Sequence, residues 1–297
     1  MAIAASNGLE LCYDTFGDPE APPLLLVMGL GAQMGAWEDG FCRALADGGH
    51  FVVRFDNRDC GLSTKFDGAP ADIMAVLAAE AGAGEMPAAA YDLSDMAADA
   101  VGLLDALGIA TAHIVGASMG GMIAQTIALE HPARVRTLTS IMSTTGEPEF
   151  FQSDPEAIAV LLTPAPEERD AYIENAVRST RVISGARYFD AERTAALAAG
   201  FYDRAFYPIG TVRQLIAIRA SGSRGEALAS LDVPTLVIHG REDTLILPPA
   251  GFRTAEVIPH ADLLMLGDMG HDLPEPLWGS ITGAILAHTS RVERTSV

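Results

Sequence analysis

The sequence predicts a doubly wound α/β fold, a mostly parallel sheet with helices on both faces and an inserted helical cap. Three observations carry this: short unalternated apolar runs, helical patterns between them, and one long interval where the runs stop. The run 24–28 (Leu-Leu-Leu-Val-Met) ends at Gly29, 51–55 ends at Asp56, and 113–115 ends at Gly116. Runs 135–142, 235–238 and 263–266 continue the series. Strands covered on both faces read this way, because neither side of the pleat meets water. Between them, 92–107 spaces Met96, Leu103, Leu104 and Leu107 on one helical face and stops at Gly108. Residues 119–130 are helical up to Pro132, and 278–287 gives a last helix.

The alternation breaks over 146–231, where helical patterns such as 166–178 and 190–199 follow one another with no clear strand. This interval holds nine of the 19 aromatic residues (11 Phe, 6 Tyr, 2 Trp), so it carries apolar surface of its own. It reads as a helical cap over the carboxyl edge of the sheet, dividing the chain into core 1–145, cap 146–231 and core 232–297. The Ala/Gly-rich piece 67–90 reads as a mobile helix-loop beside the entrance, and 291–297 as a loose tail.

Apolar residues are 49% of the 297 and charged ones 20%, enough for a sizeable core and against a disordered chain. The 39 Asp+Glu against 19 Lys+Arg give a net charge of -20, which repels nucleic acid and anionic membrane surfaces. No basic segment leads into a long apolar run at the N-terminus, and the expectation is a cytoplasmic protein without a signal peptide. Cys12, Cys42 and Cys60 form no CxxC pair and are expected to be reduced, with Cys60 a small buried residue rather than a reactive thiol.

The chemistry centres on Gly116-Ala117-Ser118-Met119-Gly120, a G-x-S-x-G. With 29 glycines in the chain, about 0.1 such matches arise by chance, so the motif alone is weak. Here it follows a strand-like run and opens a helical one, the setting of a nucleophile elbow. A serine hydroxyl needs a base. Of seven histidines, His271 lies on the loop after the last strand-like run. His239 reads as structural, His113 begins a strand, and His50, His260 and His288 fall at element ends, where solvation is expected. The base needs an acid to hold its tautomer. Asp243 stands on the loop after 235–238; Glu242 is expected to point away, and Asp268 and Asp272 are too near His271 in sequence. The order Ser118, Asp243, His271 is that of this kind of site. No HExxH or close His/Cys group exists, so neither a metal nor a cofactor is expected.

These segments resemble the serine α/β-hydrolase superfamily, in particular its capped esterase/lipase group, and are similar to the aclacinomycin methylesterase type of actinobacterial esterase. The segment 56–63 matches a family D-x-R-G-x-G-x-S pattern with Asp59 where a glycine stands, and 26–31 matches the strand-to-loop HG motif with Met28 where histidine stands. The resemblance implies an α/β-hydrolase fold and an oxyanion hole made by the backbone N–H groups of Leu30 and Met119. Met28 leaves those donors intact. Asp59 reads as a solvated loop residue, with a role at the pocket or entrance as the alternative. The implied activity is cleavage of a small hydrophobic carboxylic ester through an acyl-serine. A C–C bond hydrolase or a cofactor-free perhydrolase/haloperoxidase would use the same triad, and a ligand receptor would retain a slow one. Gly29, Phe150, Tyr188, Phe206 and Tyr207 are the expected substrate contacts, and the oligomeric state is open.

Overall fold

The computed structural model describes residues 1–293, the Glu80 side chain apart. Among them are eight strands: β1 (Ala2–Ser6), β2 (Leu9–Phe16), β3 (Pro23–Val27), β4 (Phe51–Phe55), β5 (Ala112–Ala117), β6 (Val135–Ile141), β7 (Thr235–Gly240) and β8 (Asp262–Leu266). They form one sheet in the order β1-β2-β4-β3-β5-β6-β7-β8. β1 and β2 pair antiparallel, as do β2 and β4, and the remaining pairs are parallel. The helices of the first half are α1 (Asp39–Asp47), α2 (Ile73–Glu80), α3 (Leu93–Ala106) and α4 (Met119–Glu130). Between β6 and β7 lie α5 (Pro155–Leu162), α6 (Arg169–Ile183), α7 (Ala191–Ala205), α8 (Pro208–Ser221) and α9 (Gly225–Leu228). α10 (Pro248–Val257) precedes β8, and α11 (Trp278–Glu293) follows it.

The pleat explains the unalternated runs. Along β3, Leu25 and Val27 pack with Leu93, Met96 and Ile123 of α3 and α4 on one face. Leu24 and Leu26 pack with Phe41, Leu45 and Ile281 of α1 and α11 on the other. Successive side chains point oppositely and both faces are covered, so every position is apolar. α3 starts as its sequence suggests: the Asp92 carboxylate accepts the N–H groups of Ser94 and Asp95, and Asp95 reaches back to the Asp92 N–H. Gly108, just past its end, has φ +70°, the left-handed closure available to glycine.

β1 and β2 escape the sequence pattern because most of β1 is exposed at the sheet edge. A local signal was present: Asn7 and Gly8 have φ 48° and 77°, the two-residue turn that an Asn-Gly pair favours. α1 and α10 are further elements beyond the sequence pattern; α10 opens on Pro248-Pro249, where the missing N–H is harmless. α8 and α9 do not stay with the other helices between β6 and β7: Ala217, Ile218 and Leu228 are buried in the α3/α4 core. The piece 67–90 contains α2, whose first turn is capped by Asp72. Residues 291–293 close α11 rather than forming a tail, and 294–297 lie outside the described residues.

Two histidines expected in solvent are buried instead. The His50 Nδ1–H donates to Pro22 O at 3.0 Å, and Nε2 lies 2.9 Å from Thr289 Oγ1. His288 bonds Pro234 O at 3.2 Å. α11, returning across the sheet, covers His50 through Thr289 and carries His288 in against Pro234, tertiary contacts that no local pattern encodes. His113 packs edge-on to His50 with ring centroids 5.2 Å apart, and its Nε2 lies 3.1 Å from Glu293 Oε1. Burial, then the His50 ring, press its pKa down to about 4 despite Glu293. A histidine held neutral in the fold favours folding above its free value and loses that contribution as pH falls toward the folded value. Stability should therefore fall as pH drops from about 6.5 toward about 4. Urea unfolding across that range should show it, and His113→Gln should flatten the slope; an unchanged slope would mean His113 charges freely in the fold.

Candidate active site

β5 delivers Ser118 on a sharp turn into α4, with φ 56° and ψ −122°, a region that costs a side-chain-bearing residue about 1–3 kcal/mol. Two glycines permit the turn. A Cβ on Gly120 would stand 2.0 Å from Val27 O, and one on Gly116 would stand 2.0 Å from Gly120 O. The turn lifts the Ser118 hydroxyl above the carboxyl ends of the strands, with the first turn of α4 beneath it.

The loops after β7 and β8 bring Asp243 and His271 to the same place. Ser118 Oγ lies 2.9 Å from His271 Nε2, and His271 Nδ1 lies 2.8 Å from Asp243 Oδ2. Asp243 is buried, and its other oxygen accepts the N–H groups of Leu245 at 2.9 Å and Ile246 at 2.8 Å. Burial pushes its pKa up, but His271, the hydrogen bond from His239 and that from His271 outweigh it and hold the value down at about 2. His239 is structural, its Nε2 bonded to Ile246 O at 2.8 Å. Glu242 turns away to accept the Ala186 N–H, and Asp268 pairs with Arg187. Asp272 accepts the Gly270 N–H, and burial raises its pKa.

A cavity of about 410 Å³ opens over Ser118 and His271, with Gly29, Leu30 and Met119 in its floor. Met119 opens α4, so its N–H has no intrahelical acceptor. The Leu30 N–H is taken by no carbonyl or side chain among the described residues, whereas the next one, of Gly31, donates to Gln214 Oε1. Tyr188 lines the cavity. Phe150, Phe206 and Tyr207 do not line this cavity. Phe150 packs toward the α3/α4 core with Arg253 over its ring. Phe206 is taken up in an aromatic cluster, its ring centroid 4.8 Å from Tyr202 and 5.6 Å from Tyr172. Tyr207 donates to Asp67 and accepts from Arg213. The other roof aromatics are Phe151, Tyr172, Phe189 and Phe201. The segment is rich in aromatics, and the turn of each helix decides which ring faces the cavity.

Asp59 is not a solvated loop residue. Its side chain is wholly buried, accepting Tyr91 Oη–H and the Phe66 N–H, both at 2.7 Å, with Arg213 at 3.2 Å. It ties the segment after β4 to α8. Cys60 is buried beside it, and burial followed by the Asp56 charge pushes its thiol up to about 12, which makes it inert near neutrality. All three cysteines are free. Among the described residues no three His, Cys, Asp or Glu side chains gather to hold a metal ion. Among them, too, no helix is long and apolar enough to cross a membrane.

The fold and the serine-bearing turn define a class, and residues 22–275 match the model of the alpha/beta hydrolase fold. The chain belongs to that family. It is 32% identical to the rhodomycin D methylesterase DauP of Streptomyces sp. (strain C5), across 97% of both chains. It is likewise 32% identical, with the same coverage, to the rhodomycin D methylesterase DnrP of Streptomyces peucetius. Among solved structures, the enol-lactonase of Burkholderia xenovorans LB400 superposes with a TM-score of 0.74 at 25% identity, over 97% of this chain and 100% of that one.

Proposed function

We propose that this protein is a serine hydrolase of carboxylic esters, with Ser118, His271 and Asp243 as its triad. The observation that carries the reading is the unbroken line from Ser118 Oγ through His271 to Asp243, with spacings of 2.9 and 2.8 Å, under a largely apolar cavity. His271 Nε2 takes the Ser118 proton as the oxygen attacks the ester carbonyl. The oxyanion is received by the N–H groups of Leu30 and Met119, preorganised donors that cost no rearrangement. His271 then gives the proton to the departing alcohol, and water repeats the sequence in reverse on the acyl-serine. Likeness to methylesterases along the whole chain points to a methyl ester whose apolar acid body fills the cavity. The net charge of -20 disfavours an anionic body.

The test is turnover of an ester panel together with labelling by a serine-directed phosphonate. Steady turnover and a single label on Ser118 are expected; one slow turnover would indicate a receptor, and a label elsewhere would dismiss the triad. The same panel sorts the roof. Tyr188→Ala removes about 1–2 kcal/mol of apolar contact, at about 25 cal/mol per Å². It should lower the kcat/KM ratio of a bulky to a small methyl ester about tenfold. Phe206→Ala, in the aromatic cluster, should lower the melting temperature and leave that ratio alone. The reverse pattern would place Phe206, not Tyr188, against substrate.

A further inference from the structure

The loops carrying Asp243 and His271 are both held by a third segment, the turn 182–187 made by the end of α6 and the residues that follow it. On the histidine loop, the His271 N–H donates to Ile183 O at 2.6 Å. The two segments touch backbone to backbone: a Cβ on Gly185 would stand 2.5 Å from Asp268 O, and one on Gly270 would stand 2.3 Å from Gly185 N. Arg187 adds an ion pair to Asp268 at 2.9 Å. On the acid loop, Thr244 Oγ1 donates to Val182 O at 2.9 Å, and the Ala186 N–H donates to Glu242 Oε2 at 2.9 Å. The loops are also joined to each other, Glu242 N–H to Met269 O at 2.9 Å. The same segment faces the cavity, since Ile183 and Ser184 line it, and Tyr188 follows directly after.

We propose that the turn 182–187 is a positioning element, through which the helices over the cavity set the alignment of His271 between Asp243 and Ser118. This rests on the triad reading above. Its residues touch none of the reacting atoms. They act on the two loops, and Thr244 and Glu242 are the side chains through which the acid loop is registered. A displacement of about 1 Å at a catalytic group costs about 100-fold in rate, so slackening the turn should appear in kcat. KM reports cavity contacts that remain.

The decisive variant is Thr244→Val, which keeps the shape and removes the bond to Val182 O. On a bulky methyl ester its kcat should fall about tenfold with KM within about twofold of wild type. Thr244→Ser, which keeps the hydroxyl, should restore the rate. Gly185→Ala, forced off Asp268 O, should lose about 100-fold in kcat. Should that protein fail to fold, Thr244→Val decides alone. Wild-type kcat in Thr244→Val, or a lowered melting temperature with kcat per folded enzyme unchanged, would overturn the proposal. Phosphonate labelling of wild type at Ser118 in the same experiment separates this failure from failure of the triad, which would show as labelling elsewhere.

Discussion

Ser118→Ala should lower kcat by about 10⁵–10⁶-fold on any ester the enzyme turns over, and should abolish the acyl-enzyme burst. The Ser118 hydroxyl is the oxygen held 2.9 Å from His271 Nε2 at the floor of the cavity. Without it neither the covalent step nor the proton transfer that drives it has a donor. His271→Ala should cost about as much, because an unassisted hydroxyl is a poor nucleophile at neutral pH. Combining the two should add little, since groups that act as one unit cannot be lost twice. A residual acceleration of about 10³–10⁴ over water should survive in all three variants, supplied by binding and by the Leu30 and Met119 N–H groups. Steady-state and pre-steady-state kinetics on one ester check this. If the two single losses multiplied in the double variant, Ser118 and His271 would be acting in separate steps, and the triad would have to be abandoned.

What the sequence discloses of this site, and what it hides, follows from the range of the interactions involved. Gly116 and Ser118 solve a problem posed within five residues, a strand turning into a helix too tightly for a side chain at 116, so that part is written locally, whereas Gly120 makes room for Val27 O of the neighbouring strand β3. Asp243 follows the buried strand β7 and His271 the half-exposed edge strand β8, and parallel strands bring their carboxyl ends to one edge. The roof is different. Phe201 and Phe206 lie five residues apart, yet one faces the cavity and the other packs on Tyr172 and Tyr202. The rotation of α6 against α7 decides between them, and rotation is a property of packing. Asp59 escapes for the same reason: its three partners, Tyr91, Phe66 and Arg213, come from the segments after it and from α8. The mostly exposed edge strand β1 shows the third case, where the apolar pattern fades although the Asn7-Gly8 turn remains legible.

Asp243→Asn should leave the fold intact and lower kcat by about 10⁴-fold. The direction follows from what surrounds the carboxylate. One oxygen accepts two backbone N–H groups, from Leu245 and Ile246, and the other accepts His271 Nδ1–H. An asparagine must turn its carbonyl oxygen toward the two fixed N–H donors, because the amide NH₂ cannot face them. Its NH₂ then points at His271 Nδ1, which becomes an acceptor, and the ring proton moves to Nε2. In that tautomer Nε2 has no lone pair for the Ser118 proton, and the base is lost while the distances survive. His239 Nε2, 3.4 Å from Asp243 Oδ2, is directed to Ile246 O at 2.8 Å, so the two backbone N–H groups outweigh it in fixing the amide. The loss should persist across the neutral range, since the wild-type carboxylate, held down at about 2, stays ionised throughout it. Activity of Asp243→Asn against wild type, with melting curves as the check on folding, is the measurement. Near-wild-type turnover in Asp243→Asn, with activity lost in Glu242→Gln, would transfer the acid to Glu242 and require the loop after β7 to adopt another conformation during catalysis.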